Sequence, residues 1–453
     1  MPKRRASRIL RRSTALAGSR YWKPRIVFWL GALAIGLTSA AFAWMADAAQ
    51  HLFLAAFDRE GWQRFLPLIA TPAGFIACAW LALRFLPGSQ GSGIPQAIAA
   101  RHLRRDDERV RFLSLRMAVG KVLLTCLGLL TGASIGREGP TVQVGASIML
   151  HAARIGDITQ ARGLILAGSA AGIAAAFNTP LAGIVFAIEE MGRSYQSRTN
   201  GVVLSAVIIA GLASLAVVGN YTYFGVSDAA AHGPLDWILV VTCGVIGGAC
   251  GALFSLASIR ITRRLRRARV ENPTRRAIGI AAVAGLIVAV TGIATSGDTF
   301  GTGYEQARSA IEGETLSPFF FVGKFIASLA SSLAGIPGGL FAPSLSVGAG
   351  LGSTIGSVIG ADPSLAAILG MVGYFAGVVQ APMTAFVIIL EMTGNHGNLI
   401  PLMTASMLGY GVSRLIAPEP LYHAMSRLFI ADVLRRQRAE AQGEASEPPA
   451  EKS

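Results

Sequence analysis

The stretch "TGASIGREGPTVQVGA", residues 131–146, decides the fold. It sets Arg137 and Glu138 inside an otherwise apolar, glycine-rich run. A second stretch, "AGIPGGLFAPSLSVGA" at 334–349, lies over it. Gly132 meets Gly335, Gly136 meets Gly339, Pro140 meets Pro343, and Val144, Gly145 and Ala146 meet Val347, Gly348 and Ala349. A second pair follows, "AAAFNTPLAGIVFAIEEM" (174–191) over "AGVVQAPMTAFVIILEMT" (376–393), with Pro180 on Pro382 and Glu189 on Glu391. The offsets, 203 and 202 residues, are nearly equal. Two matches at nearly one offset indicate an internal duplication. Its halves run over roughly 26–225 and 235–425.

The medium in which these halves sit follows from composition. Of 453 residues, 52% are hydrophobic and 14% charged, with a mean hydropathy of +0.52. A soluble domain is nearer a quarter charged. Apolar runs cover 26–45, 66–86, 117–133, 202–218, 237–259, 278–294, 319–333 and 399–416. Several reach the ~20 residues that cross a bilayer, and between them lie shorter runs cut by Gly or Pro. Full and interrupted spans in two related halves are the pattern of a transporter, with its site where the broken helices meet. The expectation is an all-α integral membrane protein. One transport domain (26–430) would lie between a basic tail (1–25) and a disordered tail (431–453) rich in Ala, Glu and Pro.

The net charge of +15 does not point to nucleic acid. Basic residues cluster beside apolar runs, in "PKRRASRILRR" (2–12), "RHLRRDDERVR" (101–111), "RITRRLRRAR" (260–269) and "RRQR" (435–438). Such flanking blocks mark the cytoplasmic side, so both termini and two loops are expected there, within reach of anionic lipid. The first apolar run is too long for a signal peptide and reads as a retained span. No soluble regulatory domain is expected after the last span. The four cysteines show no CxxC spacing and the six histidines no HExxH, so no metal or cofactor is expected. Gly120-Lys121 is not a phosphate loop, because Leu115 and Val122 stand where Gly and Ser or Thr are required. An intramembrane enzyme using Ser92 or Ser147, with His151 one turn from Ser147, is the weakest reading, and no enzyme is expected.

Each repeat carries a glycine-rich turn ahead of an apolar helix. Glycine lets backbone N–H groups approach a ligand closely. A helix start adds unpaired N–H groups and the positive end of the dipole. The pair makes an anion site whose partial charges still let the ion leave. "GSQGSGIP" (88–95) is a third such turn, with the Ser92 hydroxyl at its centre. The alignment also shows where symmetry breaks. Glu138 stands opposite Phe341, and Glu190 opposite Met392. Carboxylates within a membrane mark ion or proton paths. The plainer readings are an Arg137 ion pair for Glu138, which adjacent helical positions disfavour, and a water-exposed helix end for Glu190. Glu189 and Glu391, kept in both halves, suit capping or pairing.

"GSGIP" (91–95), "GREGP" (136–140), "GGLFAP" (338–343) and "PLY" (420–422) occur in the order found in the CLC chloride channel and transporter family, which the chain resembles over about 26–430. The resemblance implies two inverted repeats of tilted, often incomplete helices, in a homodimer with one pore per subunit. Chloride would be held by the hydroxyls of Ser92 and Tyr422 and the backbone N–H groups of Leu340 and Phe341. Gly91, Gly93, Ile94, Gly136, Arg137, Gly139 and Gly339 would line the anion path with backbone, and Lys121 would act on it electrostatically. Glu138 matches the gating glutamate, the external proton acceptor. Glu190, with Glu189 beside it, falls at the internal proton-transfer position, where channels carry an apolar residue. The resemblance therefore favours chloride/proton exchange over the alternative, a passive glutamate-gated chloride channel. Ser92 argues for chloride over nitrate, since nitrate-selective relatives carry Pro there. A bacterial inner membrane is the expected location.

Overall fold

The computed structural model describes residues 19–57, 61–192, 197–219, 222–267 and 272–446. Its first half contains helices α1 (Ser19–Ala56), α2 (Pro67–Phe85), α3 (Ile94–His102), α4 (Asp106–Phe112), α5 (Leu115–Leu130), α6 (Glu138–Ile155), α7 (Ala161–Phe177), α8 (Pro180–Phe186) and α9 (Ser197–Val218). The second contains α10 (Pro234–Arg267), α11 (Pro273–Ala294), α12 (Tyr304–Ile311), α13 (Pro318–Leu333), α14 (Phe341–Ile359), α15 (Pro363–Val379), α16 (Pro382–Thr393) and α17 (Leu399–Ile416), followed by α18 (Leu421–Ser446). Except for α4 and α18, each helix of one half has a counterpart in the other. Among the described residues, seven helices are long and apolar enough to cross a membrane. Others, such as α7, α13, α15 and α16, are apolar but shorter.

Local chemistry sets these boundaries. Pro67, Pro180, Pro273, Pro318, Pro363 and Pro382 each open a helix, where the missing N–H would have had no helical partner. The equivalent helices α7 and α15 end alike, on Asn178 and Gln380, both left-handed at φ 56°. Lipid provides little hydrophobic drive between helices, so small residues that let backbones touch hold such bundles together. A Cβ on Gly145 of α6 would collide with the Gly168 carbonyl of α7, and a Cβ on Gly370 of α15 with the Gly348 carbonyl of α14. The same contact therefore occurs once in each half.

The equivalent turns before α6 and α14 meet head to head. Gly136 N–H donates to the Gly339 carbonyl (2.8 Å) and Gly339 N–H to the Gly136 carbonyl (2.7 Å). This reciprocal pairing relates the two halves by a local two-fold, in keeping with two inverted repeats. Both ends of the transport domain differ from expectation. The first helix already begins at Ser19, and residues 431–446, expected to be disordered, continue α18. The extension is tied down by an Arg266–Asp432 ion pair of 2.6 Å, by a Gln437 side-chain hydrogen bond to Glu108, and by burial of Val433. Its Ala, Glu, Gln and Arg residues are also good helix formers. The basic run at 2–12 and the final residues 447–453 lie outside the described residues.

Candidate anion and proton pathway

Three helix starts converge where the repeats meet. α3 follows Gly93, at φ 104°, while α6 begins on Glu138 and α14 on Phe341. Beyond the Gly136–Gly339 exchange, Gly91 N–H donates to the Ile336 carbonyl (3.0 Å) and Gly338 N–H to the Gly91 carbonyl (3.2 Å). The three glycine-rich turns thus form one cradle, lined by the first-turn backbone of three helices. Those N–H groups have no acceptor within their own helices. Ile94, Arg137 and Gly139 lie in or beside these first turns.

Two hydroxyls complete the cradle. Ser92 is 7% exposed and Tyr422 1%. They neighbour each other, and neither makes a well-formed hydrogen bond within the protein. Buried hydroxyls normally find a partner, so this pair suits a bound anion. A Cβ on Gly139 would strike Ser92 Oγ, which explains that glycine. Ser92 and Tyr422 line a cavity of about 670 Å³ that also touches Leu340, with Arg111, Arg276 and Arg436 on its wall. The Phe341 ring is held by Phe375 (centroids 4.8 Å apart), by Phe177, Phe186 and Tyr422 (each 6.0 Å), and so fixes the first residue of α14.

Glu138 is fully buried. Its carboxylate folds back over the cradle, where a Cβ on Gly136 would collide with Oε2. Tyr223 donates its hydroxyl to Oε1 at 3.3 Å. The N–H groups of Glu138 and Ala342 also point toward the carboxylate, without full hydrogen-bond geometry at Oε2. Arg137 is committed elsewhere. Its guanidinium donates to Asp47 (2.7 Å) and to the Ala43 carbonyl (2.8 Å) and stacks over Tyr223. The ion pair of Arg137 is therefore with Asp47, on α1.

The second acidic pair divides by role. Glu189 accepts from the N–H groups of Met383 (3.1 Å) and Thr384 (2.6 Å) at the start of α16. Glu391 accepts from Leu181 (3.1 Å) and Ala182 (2.7 Å) at the start of α8. Each repeat thus caps the other's helix, the shared role suggested by their retention in both halves. Glu190, by contrast, is 2% exposed, so it is not a helix end in water. It lies in a π-helical turn, Ala187–Gly192, whereas the equivalent stretch of α16 stays regular. Such turns often mark functional positions.

Lys121 is buried and donates to the carbonyls of Ser89 (2.6 Å) and Gly91 (2.5 Å), clamping the turn that carries Ser92. Lys324, equally buried, donates to Thr299 (3.1 Å) and Gly301 (2.8 Å) before α12. It lies 203 residues after Lys121, the offset of the first repeat. That offset was available to find it, but the flanking sequence is too diverged to draw attention. Tyr223 and Phe375 also escaped sequence reading, since no spacing links them to the motifs. Ser147 and His151 do not form a hydrogen-bonded pair. Ser147 donates to the Gln143 carbonyl (2.7 Å), and His151 lines a separate, apolar groove.

Residues 73–414 match the family model described as voltage gated chloride channel. The chain is 31% identical over 413 residues to the "H(+)/Cl(-) exchange transporter ClcA" of Yersinia pestis bv. Antiqua (strain Angola), covering 85% of this chain and 83% of the relative. To the protein of that name from Salmonella gallinarum it is 28% identical, with 92% and 89% covered. Among solved structures, a slow cyanobacterial Cl-/H+ antiporter aligns with a TM-score of 0.77 at 23% identity, over 90% of this chain and 98% of that one. A CLC-type fluoride/proton antiporter aligns at 0.73 and 22%, over 88% and 96%. These likenesses show the same fold. With the ordered motifs, the inverted halves and the family match over most of its length, the chain belongs to the CLC family of voltage-gated chloride channels and transporters.

Proposed function

We propose that this protein is a chloride/proton antiporter in which chloride and the Glu138 carboxylate compete for one cradle. The observation that carries the reading is the carboxylate itself, buried and folded over Gly136 where an anion would bind. Ionised, it fills the cradle. Protonated, it loses its charge and its claim on the helix-start dipoles, and chloride replaces it beside Ser92, Tyr422, Leu340 and Phe341. Glu190 exchanges protons with the opposite side. A second buried carboxylate and relatives named as exchangers support coupled exchange over a passive channel. We place both termini in the cytoplasm of a bacterium, across its inner membrane, because basic blocks flank the spans, and we propose a homodimer with one pathway per subunit.

The test is purified protein in liposomes under opposed chloride and pH gradients. Wild type should drive protons uphill on a chloride gradient. Glu138→Gln should stop proton movement while chloride still passes, and Glu190→Gln should cut coupling and spare anion flux. Intact proton uptake in Glu138→Gln overturns the assignment. A reversal potential indifferent to pH in the wild type would instead favour the channel.

A further inference from the structure

α18 meets the large cavity on one face and the π-helical turn on another. Tyr422 lies with Leu421, Met425, Phe429, Asp432 and Arg436 on the wall of the large cavity. His423 is the next residue, about 100° around the helix, and turns toward the π-helical turn. Its Nε2 is 2.9 Å from the Glu190 carbonyl and 3.8 Å from Glu190 Oε1. A carbonyl can only accept, so this contact places the proton on Nε2 and leaves Nδ1 as the basic nitrogen. The His423 side chain is 16% exposed and that of Glu190 2%. The imidazole therefore joins a sealed carboxylate to accessible surface.

We infer that His423 is the group that hands protons to Glu190 from the cytoplasmic side, along a route separated by α18 from the chloride cavity. This rests on the proposed antiport. In the step, Nδ1 takes a proton from water and the ring becomes imidazolium. The Nε2–H proton then moves from the Glu190 carbonyl to the Glu190 carboxylate, the Nε2–H bond breaking as the new O–H bond forms. The ring is left neutral with its proton on Nδ1, and rotation or exchange with water resets it. No other reactant is needed. Imidazole suits the task because its charge changes near neutral pH.

The surrounding charges favour passage over storage. Glu190 attracts an imidazolium. Arg101 of α3, which donates to the carbonyls of Met191 (2.5 Å) and Gly192 (3.4 Å), repels it. Among the described residues, the other titratable and charged groups on elements packed against α18 include His102 on α3, Glu108 on α4, Tyr374 on α15, Arg260, Arg263, Arg264, Arg266 and Arg267 on α10, and Glu189 beside Glu190. His102 is turned back onto the Ile98 carbonyl. Arg263 and Arg266 are paired with Glu419 and Asp432, and Glu189 caps α16. On α18 itself, Tyr422 precedes the ring and Arg427 follows one turn later.

The rival role for His423 is a simple cap on the Glu190 carbonyl, which glutamine can also supply. The experiment measures chloride-driven proton uptake in liposomes as the pH of the cytoplasmic side is varied between about 6 and 8, where imidazole titrates. His423→Gln should slow proton uptake by about a hundredfold or more, the low end of what a positioned proton carrier contributes, and flatten the pH profile. Imidazole added on the cytoplasmic side should restore His423→Ala but not Glu190→Gln. Wild-type uptake with an unchanged profile in His423→Gln, or no imidazole rescue of a folded His423→Ala protein, overturns the inference. If Glu190→Gln also leaves proton uptake intact, the failure lies in the antiport reading of Glu190.

Discussion

Replacing Tyr223 by Phe removes a single oxygen atom and tests whether the Glu138 carboxylate is latched in the cradle. The ring should stay in place, because its contacts are with faces and edges. Phe177, Phe224 and Tyr304 surround it at centroid distances of 5.4, 4.9 and 5.1 Å, and Arg137 lies 6.0 Å over its face. The substitution removes the hydrogen bond to Oε1, 3.3 Å long. Bonds to charged groups contribute about 1.5–3 kcal/mol, but good ones are shorter, near 2.7–2.9 Å, so about 1 kcal/mol is expected here. With tenfold per 1.4 kcal/mol, that shifts the competition about fivefold toward chloride. Calorimetric titration of detergent-purified protein at fixed pH should show Tyr223→Phe binding chloride about fivefold more tightly than wild type. In a Glu138→Gln background, with no anionic competitor, the same substitution should change nothing. Equal tightening in both backgrounds refutes the latch. So does an unchanged affinity in Tyr223→Phe when Glu138→Gln alone tightens binding.

Glu189→Ala removes the cap on α16 and should lower stability by about 1–2 kcal/mol, visible as a lower melting temperature, with the chloride-to-proton ratio unchanged; lost coupling would instead place Glu189 on the proton route. Lys121→Met and Lys324→Met should both lower the melting temperature, since each lysine clamps two buried carbonyls. Only Lys121→Met should weaken chloride binding as well, because its turn carries Ser92, whereas the Lys324 turn carries Thr302, which is bonded to Gln50; equal chloride affinities would separate Lys121 from the anion site. Hydrogen bonding to Arg263 holds the Glu419 carboxyl below the usual carboxylate range, so its contribution is present above the unfolded-state value and lost as pH falls through the folded one. Because both partners are partly exposed, the effect is under about 1 kcal/mol, and Glu419→Gln should remove that portion of the acid sensitivity of the melting temperature.

The sequence by itself determined the membrane environment, the duplication, and which glycines, prolines and acids break or keep its symmetry. These are local matters. Hydropathy reports the solvent, Gly and Pro report backbone constraint, and Gly136 and Gly339 aligned because the same turn is built twice. Even the inequivalence of Glu138 and Phe341 was legible as a letter. The roles of the acids depend on neighbours distant in the chain, and only the tertiary structure decided them. Glu189 and Glu190 are adjacent letters, yet one meets the start of α16 about 195 residues away while the other is sealed beside His423. Arg137 is adjacent to Glu138 in the chain, but α1 brings Asp47 to it and leaves the carboxylate to Tyr223 and the glycine turn. A buried charge takes the partner that packing brings within reach, and packing here depends on how two inverted halves meet rather than on the order of residues along either one.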